Sequence, residues 1–147
     1  MKKLFAMLVF SAVLAVASIA SAAVQQFTTP VIKFSVDIPA GWSVAQTLDS
    51  GCILANDAKD TSVTIVVDKA DGAPAKAFAD AIAEKLQNSK VEADEDGDYT
   101  ITAEQNGVPV LCFVSVDKDS DAAISISVAG KDTDTASKIV DSLEEVQ

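Results

Sequence analysis

The chain has no histidine, and each of its 11 basic residues is a lysine, so arginine is absent too. Without histidine there is no Ser-His or Cys-His nucleophile and no imidazole metal ligand. Without arginine, no guanidinium fork can clamp a carboxylate or phosphate through paired hydrogen bonds. Aromatics are few, with a single Trp and a single Tyr. The two cysteines, Cys52 and Cys112, are far too separated for a Cys-x-x-Cys redox motif. Positive charge is also short: 11 lysines stand against 22 carboxylates, a net charge of −11. Such a field repels nucleic acid and anionic lipid, whose binding depends on neutralising phosphates. Nucleic-acid partners are thereby excluded, while cations and basic partners are favoured.

What is present starts with Lys2-Lys3, an apolar run from Leu4 to Ala17, and then Ser18-Ile19-Ala20-Ser21-Ala22. A basic start, an apolar stretch and a small-x-small ending read as a secretory signal peptide over residues 1–22. Cleavage is expected after Ala22, with Ala23 as the other candidate position. The apolar run is short for a spanning helix, so no membrane anchor should remain after processing. No cysteine stands at the cleavage point, which excludes a lipoprotein. Residues 23–147 then make one domain of ordinary size, secreted or periplasmic, with room for a core.

In an exported chain an even pair of cysteines favours a disulfide between Cys52 and Cys112. It would close a loop of about 60 residues, worth about 4 kcal/mol by chain entropy. The other reading is two buried thiols, each acting as a small hydrophobe.

Along the mature chain, Val24 to Pro30 reads as an extended arm. Ile32, Phe34, Val36 and Ile38 alternate with Lys33, Ser35 and Asp37, a period of two that predicts a half-buried strand over Val31–Ile38. Pro39 cannot continue a ladder, and Gly41 permits the turn that delivers Trp42. Trp42 is either a lid on the core or a platform for stacking a ligand. Short strands are expected at Trp42–Gln46 and Cys52–Ala55, and a firm one at Ser62–Val67, which is almost all β-branched. A helix follows over Ala75–Asn88, with Phe78, Ile82 and Leu86 as its buried stripe. Strands are then predicted at Tyr99–Ala103, Val108–Val116 and Ala123–Ala129, the first two joined by an Asn106-Gly107 hairpin. A last helix is expected over Thr133–Glu145, capped by Asp132 or Thr133. The predicted order is ββββαβββα: an α+β domain, an α/β/α sandwich whose single, mostly antiparallel sheet is covered by two helices.

Phe34-x-Val36-x-Ile38-Pro39-x-Gly41-Trp42, Gly107-Val108-Pro109 and Ile139-Val140-Asp141-Ser142-Leu143 together resemble the PsbP-like superfamily. The chain is closest in character to the DcrB-like envelope proteins within it. The resemblance implies an α/β/α sandwich, no cofactor, and action through contacts with an envelope protein partner rather than catalysis.

Asp117-x-Asp119-x-Asp121 matches the opening ligands of an EF-hand loop. Ala122 replaces the turn glycine and Val128 the closing glutamate, so the match makes only a weak Ca²⁺ candidate. No carboxylate pair falls on neighbouring predicted strand ends, as a glycosidase would need. The functional expectation is therefore a non-catalytic binding or accessory protein of the envelope. A small-ligand or divalent-cation binder comes second, and a carboxylate-dependent enzyme third.

Overall fold

The computed structural model describes residues 23–146; the expected signal peptide, residues 1–22 with Ala22 at its end, and Gln147 lie outside them, and Ala23 opens the first strand. The strands are β1 (Ala23–Thr28), β2 (Lys33–Ile38), β3 (Trp42–Leu48), β4 (Gly51–Asn56) and β5 (Thr61–Lys69). Helix α1 (Ala75–Ala83) follows, then β6 (Gln87–Ala93), β7 (Tyr99–Gln105), β8 (Val108–Asp117) and β9 (Ala122–Gly130). Helix α2 (Thr133–Asp141) and a short β10 (Glu144–Val146) close the chain.

These elements build two antiparallel sheets rather than one. The smaller has the order β1-β2-β10, the larger β3-β4-β5-β9-β8-β7-β6. The expected α/β/α sandwich of order ββββαβββα is thus overturned: the fold is a β-sandwich with two short helices. The reason lies at Pro39–Trp42. Trp42 N–H donates to the Pro39 carbonyl at 3.1 Å, and Gly41 takes φ +84°. That tight turn carries the chain from the small sheet to the large one instead of folding β3 back onto β2. Three strands were also misread. The extended arm pairs with β2 from Ala23↔Ile38 to Thr28↔Lys33. The residues expected to end the first helix instead begin the edge strand β6, and those expected to end the second form β10.

Register decides which side chains share a face, because opposed residues point the same way. On one face of the large sheet stand Leu54, Val63 and Val128, then Cys52, Ile65 and Ile126. The small sheet and α2 cover this face, sealing Phe34, Val36, Ile139 and Leu143 into the main core. The opposite face is covered only by α1, and only over β6–β8. There Ala75 and Ala79 pack on Ile101, Val110, Cys112 and Val114 in a second core. The helices therefore sit on opposite faces, α1 over the β6–β8 end and α2 over the central strands β5 and β9. Half of the second face is left open beside α1.

Candidate functional site

That open half forms a groove. Its floor is built from two cross-strand rows: Ala55–Ser62–Ala129–Val110 and Ile53–Thr64–Ser127–Cys112. On β5 and β9 the alternation places large apolar residues inward and Ser62, Thr64 and Ser127 outward. One wall is Ile82 at the C-terminal end of α1 with Lys85 and Leu86 in the turn just after it, and these line a cavity of about 340 Å³. A larger cavity of about 620 Å³ adjoins it, and both touch Ser62 and Ala129. The larger one is lined by Lys59, Asp60, Val108, Pro109, Gly130 and Lys131, among others. Pockets of this size lie within the range used for small ligands.

A hydrogen-bond network shapes the wide end. Asn56 Nδ2 donates to Asp60 Oδ1 at 2.7 Å, and Asn56 Oδ1 accepts from the Asp60 and Thr61 amides at 3.0 and 3.2 Å. Thr61 Oγ1 donates to Asp60 Oδ1 at 2.9 Å and accepts from the Lys131 and Asp132 amides at 3.0 and 2.9 Å. Asp132 in turn caps α2 by accepting from the Thr135 amide. These bonds tie the β4–β5 turn to the segment between β9 and α2, bringing Lys59 and Lys131 to the same cavity. Hydrogen bonds from Asn56 and Thr61, with the nearby Lys131 charge, hold the Asp60 carboxyl below its usual range. Gly130 adopts φ +124°, and a Cβ there would lie 2.1 Å from the Asp60 carbonyl oxygen, so only glycine fits this approach.

At the floor, Cys112 Sγ and Ser127 Oγ lie 3.2 Å apart. Burial pushes the Cys112 thiol up, although Ser127 partly counters it. A buried, raised thiol is a poor nucleophile at neutral pH.

Cys52 lies on the other face, fully buried in the main core, with its thiol pushed up to about 12 by desolvation. The disulfide expectation fails here: both cysteines are free. Trp42 is 8% exposed and belongs to the main core, so it is a lid rather than a stacking platform. The aspartates of the β8–β9 turn serve the backbone. Asp117 Oδ1 accepts from the Asp119 amide at 3.0 Å, and Asp121 accepts from the Asp71 and Gly72 amides at 3.2 and 3.1 Å. Among the described residues, no three His, Cys, Asp or Glu side chains are grouped to hold a metal ion. Among the same residues, no helix is long and apolar enough to cross a membrane.

The groove was missed by sequence reasoning. Its visible signal was the small hydroxyl pattern of Ser62-x-Thr64 and Ser125-x-Ser127 opposite large apolar residues. Its lysines come from three separate turns and helix ends, which only the fold brings together. Compared with protein-family models and with curated proteins, the chain matches none.

Proposed function

We propose that the chain is an exported, non-catalytic binding protein whose working surface is the groove beside α1 and whose cargo is a small molecule. The observation that carries this reading is the form of the uncovered sheet face. It is a concave trough floored by small hydroxyls and walled by apolar side chains, rather than a flat apolar patch. Among the described residues, the only exposed large hydrophobics are Val24 and Val108, and just Val108 lines the groove. A few convergent polar groups in an otherwise apolar cleft orient a ligand and set its specificity. Binding is favoured over catalysis because the groove's one carboxylate is held ionised and its thiol is buried and raised. A fragment screen read by amide NMR shifts tests the reading. Hits should move Ser62, Thr64, Ser127 and Ala129 together, whereas shifts scattered over the surface, or none at millimolar fragment, would remove it.

One feature favours the envelope-partner reading as a second. Strand β3 is a free edge of the large sheet and carries no charged residue from Trp42 to Leu48. Edges are usually guarded by charge, proline or a bulge; β3 has only the irregularity between Val44 and Gln46, and its uncharged run can still take a partner strand. A photo-crosslinker at Thr47 should capture an envelope protein in the native host, while one at exposed Lys138 should not.

A further inference from the structure

We propose that the groove selects amphiphiles with an anionic head, such as a medium- or long-chain carboxylate, an inference that rests on the small-molecule reading above. Charge is the first argument. The chain as a whole carries −11, yet the residues lining the two cavities include Lys59, Lys85 and Lys131 against Asp60 alone. The groove is a positive site in a negative protein.

These lysines are also available. Lys69, Lys76 and Lys90 are engaged with Asp71, Asp80 and Glu92 at 3.7, 2.6 and 2.8 Å. Lys59, Lys85 and Lys131 have no carboxylate within 4 Å among the described residues. Asp60 is the one negative charge among the lining residues and is felt by Lys131, while its Oδ1 is held by Asn56 and Thr61, so the lining keeps an excess of positive charge.

The third argument is the order of the lining. Lys59 and Lys131 stand at the wide end, next to Gly130. From there the surface runs over Val108, Pro109 and Ala129 to Val110, then to Ile82 of α1 and Leu86 just beyond the helix, with Lys85 beside them at the far end. A cationic end followed by an apolar track matches a carboxylate head followed by an alkyl tail. The head is held by the two ammonium groups, which act as point charges without the geometry of a guanidinium. The tail leaves water along Val108 and Leu86.

The experiment uses the folded domain and four probes below their micelle concentrations: dodecanoate, its methyl ester, dodecyltrimethylammonium, and a groove fragment from the screen above. Overall charge favours the cationic amphiphile, so the proposal and the global field predict opposite outcomes. Dodecanoate should shift the amides of Ser62, Ser127, Ala129 and Lys131 and bind more tightly than the ester. The double variant Lys59→Gln/Lys131→Gln should weaken dodecanoate about tenfold and leave the ester unchanged. Equal affinity for dodecanoate and the cation, or no loss in the double variant, overturns head-group selection. If fragments occupy the groove while dodecanoate does not, this inference alone falls. If neither binds, the small-molecule reading falls with it.

Discussion

Cys52 and Cys112 point to opposite faces of the large sheet, with β5 and β9 lying between their strands. Cys52 shares a row with Ile65 and Ile126, and Cys112 shares the next with Ser127 and Thr64. Three strand spacings put them roughly 14 Å apart, about twice the reach of a disulfide. Thiol chemistry should reflect this. The native protein should react slowly with an aromatic disulfide reagent, because both thiols are buried and raised. In denaturant it should titrate with two thiols per chain without prior reduction, and added reductant should leave Tm unchanged.

The end of the chain carries a pH signature. Glu145 lies on β10 against Phe34 of β2, and its carboxyl is raised by desolvation and then by the negative charge of Asp117. The folded state thus holds its proton more readily than the unfolded state. The associated stability is full below the ordinary value of 4.5 and is lost as pH rises through the raised folded value. Glu145→Gln mimics the protonated form. Its Tm should exceed that of the parent at pH 7, and the gap should close as pH falls toward 4.5. A gap that stays constant with pH would contradict this.

Ser142 stitches the last helix to the small sheet. Its Oγ donates to the Ile139 carbonyl at 2.6 Å and accepts from the Asp37 amide at 2.9 Å. Ser142→Ala leaves a part-buried amide without that acceptor, at a cost of about 1–2 kcal/mol. Denaturant unfolding should show the loss as a lower midpoint with an unchanged slope.

Gly130 is a stricter position. Gly130→Ala drives a methyl into the Asp60 carbonyl at a φ that side chains rarely adopt. The expected loss is on the order of 3 kcal/mol. Gly72→Ala, where φ is +77° but no atom lies within 4 Å of the added Cβ, is the control and should cost less.

Trp42 gives a spectroscopic check. As a lid over the main core it should emit at short wavelength, and groove ligands on the opposite face should leave that emission unchanged. Trp42→Ala should destabilise by about 3–5 kcal/mol.

Much of the local structure was legible because it is written in short-range pattern. The alternation of β2, the β-branched run of β5 and the Asn106-Gly107 hairpin appear where the sequence places them. Asp132 caps α2 as expected. The failures share a cause, which is that pairing partners are not local. Gln87–Ala93 is polar and exposed, and becomes a strand only because β7 offers it an edge. Glu144–Val146 is held by β2, more than 100 residues earlier, as Ser142 is by Asp37. The two-sheet division hangs on one turn, where sequence shows that the chain bends but not toward which layer. The groove lysines, at 59, 85 and 131, have no spacing that would group them.

The groove and the main core share a wall one peptide thick. Ser62 and Thr64 look into the trough while Val63 and Ile65, their immediate neighbours, are fully sealed on the other side. Nothing can press on that floor without loading the strands that hold the sandwich together. A molecule bound in the trough, as proposed above, would therefore brace the domain, and its occupancy would raise the melting temperature by mass action. Under that proposal, loss of cargo and loss of fold would be linked events, and the filled protein would be the one better able to outlast heat and proteases.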